Sequence, residues 1–198
     1  MIDVREITDL QQAAVARWHH EPIGNPHEGF LQIVCEQHQF NYLLWHEEDI
    51  ARSPDVGDAK IAEVKRAIDR YNQQRNDRIE KLDDWLIAEL GRRQVRPADG
   101  ARLNTETPGS SIDRLSILSL RLYHMQEQLD RGDATEEHLA KVAARLAIIQ
   151  EQHRDLSQSL AALVDDLFAG RKRLKVYRQF KMYNDPTLNP YLYQSKSG

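Results

Sequence analysis

Apolar residues return along this chain at steps of three and four, and no stretch alternates with period two between turn residues, so the pattern predicts helices throughout. The clearest run lies between Thr135 and Ala169. There Leu139, Val142, Leu146, Ile149, His153, Leu156, Leu160, Leu163 and Leu167 form a heptad seam. A second seam, Leu115, Leu118, Leu122, Met125 and Leu129, marks a helix that starts at Thr107-Pro108 and ends at Gly132. Threonine as the cap and proline at the first helical position suit that start. Three earlier helices are predicted, over about Val4 to His19, Gly29 to Arg52 and Asp58 to Gly91. The segment HHEPIGNPHEG separates the first two, Ser53-Pro54 stops the second, and a polar loop follows the third as far as Asn104. The expected architecture is an all-α bundle of about five mostly antiparallel helices. Two of these are long and heptad-patterned, and an irregular basic and aromatic C-terminal tail follows.

Polar residues interrupt these faces. On the third helix Ile61, Val64, Ile68, Tyr71, Ile79, Leu82 and Leu86 form an apolar stripe, and a rotation of about 100° per residue puts Arg75 in its middle. Its guanidinium must find an acid or reach a cavity. Beside the stripe stand Lys65, Asp69, Asn72, Asn76, Glu80 and Asp83. Such a flank is either solvated, with ion pairs at helical spacing, or the lining of a pocket. Asn72 and Asn76 favour the pocket, because asparagine is a poor helix former without a hydrogen-bonding role. On the second helix Asn41, Trp45, Glu48 and Arg52 share a face, although Glu48 and Arg52 also suit a simple i,i+4 pair. On the fourth, Asp113, Ile117, Leu120 and His124 lie opposite the seam, so this helix is expected to be buried on two sides. His124 is then either a satisfied core histidine or, with Asp113, a catalytic acid or base.

Composition narrows the class. At 198 residues, with 40% hydrophobic and 29% charged residues, the chain suits one domain spanning 1–198. No apolar run approaches the roughly 20 residues of a spanning helix. The charged start MIDVREITDLQQ and the single Cys35 point to the cytoplasm. The net charge of −4 hides an asymmetry, because residues 171–198 hold seven Lys or Arg and one Asp. That tail is expected to dock on the acidic body first and to hold an anionic ligand second. Nucleic acid is not an expected partner of so acidic a chain.

Three segments carry candidate chemistry. In LNTETPGSSIDR, the free backbone N–H groups of a helix start, with Thr107, Ser110 and flexible Gly109, suit a phosphate or carboxylate. Capping by Thr107, or by Ser110 with Asp113, explains the same residues without a ligand. The tail interleaves Arg178 and Lys181 with Tyr177, Phe180 and Tyr183, which suits a nucleotide or sugar phosphate, or anchoring on the body. Glu48, Asp49, Glu80 and Asp83 could hold Mg²⁺, the only cofactor these residues suggest. Other metal patterns fall short. His46-Glu47 begins an HExxH motif that Ile50 breaks, and no Glu-x-x-His, Walker loop or Cys/His zinc pattern occurs. The trio His19, His20 and His27 suits zinc or, more simply, a solvated loop.

The segments LLWHEEDIAR, IDRYNQQRNDRIE, LNTETPGSSIDRLSIL with YHM, and KVYRQFKMYNDPTLNP resemble the signature blocks of a bacterial family, domain of unknown function 4254. The blocks cover most of the chain from Asn41 to Pro190. The resemblance implies an all-helical cytoplasmic protein, often encoded beside cell-surface glycosyltransferases, with no established activity. The favoured expectation is a bundle that binds a phosphorylated small molecule, a nucleotide sugar or sugar phosphate, in a polar pocket. A first alternative is a non-enzymatic helical scaffold that dimerises through the fifth helix and partners a glycosyltransferase. A second is a Mg²⁺-dependent phosphoester or pyrophosphate hydrolase. Glu80-Lys-Leu-Asp83 is similar to half of the Glu-x-x-Glu/Asp pattern of all-helical nucleoside-triphosphate pyrophosphohydrolases, but Ala51 stands where the other half needs an acid.

Overall fold

The computed structural model describes residues 2–178, 182 and 185–194. In chain order it contains α1 (Val4–Trp18), α2 (Gly29–Arg52), α3 (Asp58–Arg92), β1 (Arg102–Leu103), α4 (Pro108–Leu129), α5 (Glu136–Phe168), β2 (Lys172–Arg173) and the short α6 (Pro190–Tyr193). The all-α expectation holds, and α4 ends at Leu129, the last residue of its seam and a little before the expected stop at Gly132. The starts follow from local chemistry. Asp3 accepts from Arg5 N–H, Thr107 from Ser110 N–H and Thr135 from His138 N–H, so each cap satisfies one of the donors a helix start leaves free.

The strands are an addition. β1 and β2 pair in parallel, Arg102 opposite Lys172 and Leu103 opposite Arg173, and elements this short leave no periodicity to read. They tie the loop after α3 to the chain after α5. Beside them Ala98 N–H donates to Gly170 O at 2.9 Å. Gly170 has φ 71, and a Cβ there would meet Arg96 O at 2.6 Å, so only glycine suits that crossing.

α2 lies along α3 and α4 along α5, while α4 also touches α1, α2 and α3. This central position explains why α4 is apolar on two sides. Ile7, Leu82, Leu86, Ile112, Leu115, Leu120, Leu160 and Leu167 are fully buried. Each such side chain contributes roughly 1.5–3 kcal/mol of transfer free energy, which drives the helices together. A smaller cluster of Leu44, Val64 and Ile68 joins the C-terminal half of α2 to the start of α3. On α5 the seam residues are buried or half-buried while the opposite face is exposed. Among the described residues no helix is long and apolar enough to cross a membrane.

Candidate functional site

Arg75 leaves the apolar stripe of α3 by reaching Asp113 on α4. Its Nε donates to Asp113 Oδ1 at 2.7 Å and its Nη2 to Oδ2 at 2.5 Å, a bidentate pair with side-chain exposures of 25% and 7%. Two donors one turn apart on α2 complete the set: Gln37 Nε2 at 2.6 Å and Asn41 Nδ2 at 3.0 Å, both to Oδ1. Asn41 also donates to Ser116 Oγ at 2.8 Å, and His38 Nδ1 lies 2.7 Å from the same hydroxyl. The hydrogen bond that Arg75 donates to Asp113 is the largest influence on its guanidinium and holds the guanidinium pKa above the ordinary value. A carboxylate this buried would be costly alone, and the four donor contacts are its compensation. Asp113 is therefore an anchor whose lone pairs are engaged, not the free acid or base expected of it.

Beside this network the three helices leave a cleft of about 430 Å³. α2 lines it with Asn41, Trp45, Glu48, Asp49 and Arg52, and α3 adds Asn72 and Arg75. α4 closes it with Ile117, Leu120 and Arg121. Polar residues read separately on two helices thus share one cavity. Glu48 and Arg52 pair across 2.9 Å with exposed side chains, placing them at its rim. Exposed Arg121 has no acidic partner among the described residues. The sequence reading missed it, although it stands one turn beyond Ile117 on the face that carries Asp113 and His124. Lys65 and Asp69 form an exposed ion pair, so that end of the flank is simply solvated. Asn76, one turn beyond Asn72, is half-buried and does not line the cleft.

The start of α4 binds an anion from its own chain. Gly109 N–H donates to Asp83 Oδ1 at 2.8 Å, while Thr107 caps Ser110 N–H at 3.1 Å. Asp83 is 2% exposed, and burial, the largest influence, raises its pKa against the bonds from Thr107 and Gly109. The site expected to take phosphate through Thr107, Gly109 and Ser110 is filled by this carboxylate.

The tail shows the same self-pairing. Arg178 bonds Glu80 and Asp84 of α3 and does not line the cleft, so its charge is answered by the body. Lys181, Tyr183 and Phe180 lie outside the described residues. Glu48, Asp49, Glu80 and Asp83 do not gather into a cation site: the first two line the cleft, while Glu80 and Asp83 face Arg178 and Gly109.

His124 and Asp113 are no catalytic pair either, being about three turns and roughly 16 Å apart along α4. His124 instead meets His19 and His46, the one group of three potential metal-ligating side chains among the described residues. His20 and His27 are not in it. Cys35 is buried, and burial pushes its thiol up to about 11, which makes it an inert core residue.

Residues 31–176 match the family model described as a protein of unknown function, DUF4254. No curated protein and no solved structure matches the chain.

Proposed function

The chain belongs to this DUF4254 family, and from that premise we propose that it binds a phosphorylated small molecule, a nucleotide sugar or sugar phosphate, in the cleft among α2, α3 and α4. The observation that carries the reading is the company kept there: Arg75, Arg121, Trp45, Asn41 and Asn72 line one cavity of about 430 Å³. That volume suits a small organic ligand. Arg75 is held by Asp113 through Nε and Nη2, so its remaining N–H groups are pre-oriented donors. Arg121 supplies a cation that forms no ion pair among the described residues, and of the two acids lining the same cleft, Glu48 and Asp49, Glu48 is paired with Arg52. Phosphate oxygens favour such guanidinium donors, the Trp45 indole offers a face for a base or sugar ring, and the two amides suit hydroxyl groups. The reading is one of binding, and no reaction is assigned to the cleft.

A thermal-shift panel of a uridine diphosphate sugar, a hexose 1-phosphate and inorganic phosphate tests it. At a hundredfold excess over Kd, binding stabilises the fold by about 2.7 kcal/mol, which corresponds to roughly 5–10 °C for a chain of this size. The sugar-containing ligands should raise the wild-type midpoint, and Arg121→Ala and Trp45→Ala should blunt the response. No response to any compound would favour a helical scaffold that partners a glycosyltransferase. An equal response in both variants would place binding away from this cleft.

A further inference from the structure

Three imidazoles from three helices converge next to Trp45. His19 at the C-terminal cap of α1, His46 of α2 and His124 of α4 each bring a ring nitrogen within 4.8 Å of the other two. Aromatic neighbours hold the rings in place. Tyr123 stacks on His19 at 4.1 Å between centroids, Trp45 on His124 at 4.7 Å, and Tyr42 lies 4.3 Å from His46.

The hydrogen bonds decide which nitrogen carries the proton. His19 Nδ1 is 2.7 Å from Val15 O and His46 Nδ1 is 2.8 Å from Tyr42 O, each one turn back on its own helix. His124 Nδ1 is 2.7 Å from Glu127 Oε2. Carbonyl and carboxylate oxygens only accept, so every Nδ1 donates and, in the neutral ring, Nε2 is the nitrogen that presents a lone pair. The Nε2 atoms of His19 and His124 are buried without a hydrogen-bond partner among the described residues. Unprotonated ring nitrogens gathered this closely repel unless an electropositive species lies between them.

We infer that His19, His46 and His124 bind a divalent late first-row transition ion through their Nε2 atoms, with zinc the best match to three neutral imidazoles and a fourth position left open. Nitrogens no more than 4.8 Å apart surround a centre within about 2.8 Å of each, so small side-chain shifts reach the 2.0–2.1 Å of a zinc–nitrogen bond. The Nδ1 bonds to Val15 O, Tyr42 O and Glu127 are the outer contacts that orient histidine ligands and raise their basicity. An ion there cross-links α1, α2 and α4, so it stabilises the bundle as well as offering a coordination position. Trp45 touches this site and also lines the cleft, but the metal assignment stands independently of the cleft's ligand.

The test uses the full chain without an affinity tag, stripped with a chelator and titrated with Co²⁺. One equivalent should bind with the visible absorption of tetrahedral cobalt, and Zn²⁺ should displace it. His46→Ala and His124→Ala should abolish that signal, while His20→Ala, whose side chain lies outside the group, should retain it. Glu127→Ala, which removes the acceptor orienting His124, should weaken binding by about 10–100-fold. Circular dichroism checks that each variant is folded. If His124→Ala fails to fold, His46→Ala and His46→Gln carry the comparison. The inference is overturned if the wild type takes up no stoichiometric cobalt or zinc, or if folded His46 and His124 variants bind as tightly as the wild type. Because the readout is the metal itself, failure of the phosphorylated-ligand reading leaves this result unaffected.

Discussion

Asp113→Asn replaces one carboxylate oxygen with an NH₂ group in a side chain that accepts four hydrogen bonds, with almost no change of shape. In one orientation the new NH₂ group faces Arg75 Nη2, where Oδ2 accepts at 2.5 Å. In the other it faces Arg75 Nε, Gln37 Nε2 and Asn41 Nδ2, which lie 2.7, 2.6 and 3.0 Å from Oδ1. Either way a donor meets donors, and the Arg75 charge loses its counter-charge. Removing one partner of a buried pair costs about 3–5 kcal/mol. Arg75 keeps 25% of its side-chain surface, so solvent absorbs part of this and the lower end applies. The expected loss is about 3 kcal/mol, a fall in Tm of roughly 6–12 °C. Urea denaturation followed by circular dichroism measures it, and a cycle with Arg75→Met isolates the pair, whose coupling should be about 2 kcal/mol. A loss below about 0.5 kcal/mol, or additivity within that margin, would refute the view that this pair anchors the cleft.

Other consequences follow from the same geometry. Gly109→Ala should cost about 1–3 kcal/mol by overpacking, because the new Cβ would lie 2.7 Å from Ile79 O and 2.9 Å from Asp83 Cγ; an unchanged urea midpoint would contradict this. His38 is fully buried, and burial holds its pKa at about 3, down from 6.5. Between those values the unfolded chain binds a proton that the folded chain does not, so the His38 contribution is intact above pH 6.5 and is lost on acidification. His38→Asn should therefore flatten the fall in unfolding free energy between pH 6.5 and 4.5 by about 1.4 kcal/mol per pH unit, and an unaltered slope would speak against it. Thr135→Ala removes the cap on His138 N–H and should lower stability by about 1 kcal/mol in the same denaturation assay; no change would show the cap to be dispensable.

The helices were legible because each encodes its own buried face: the seams of α4 and α5 and the stripe of α3 are local patterns, and the caps at Thr107 and Thr135 are local chemistry. Arg75 was conspicuous for the same reason, since one cation in an apolar stripe needs an explanation. Its partner was not legible as such. Asp113 lies 38 residues later, and the register of α3 against α4 is written in neither helix alone. The start of α4 misled because its signature promises an anion without naming one, and the anion is Asp83, 26 residues upstream. The histidine group left no motif, since its members come from α1, α2 and α4 at no characteristic spacing. His19 stood where a helix gives way to a loop, and His46 was judged by its sequence neighbours instead of by the helix packed beside it.

The binding proposal rests on Arg121 more directly than on any other residue, because that cation has no acid of its own among the described residues. Isothermal titration with the most stabilising nucleotide sugar or sugar phosphate, on wild type, Arg121→Ala and a control Arg145→Ala on the exposed face of α5, tests that dependence. A lost charge-assisted hydrogen bond costs about 1.5–3 kcal/mol, so the Arg121→Ala protein should bind about 10–150-fold more weakly while the control matches wild type. Equal affinity in all three proteins, or no measurable heat with any of them, would contradict the account.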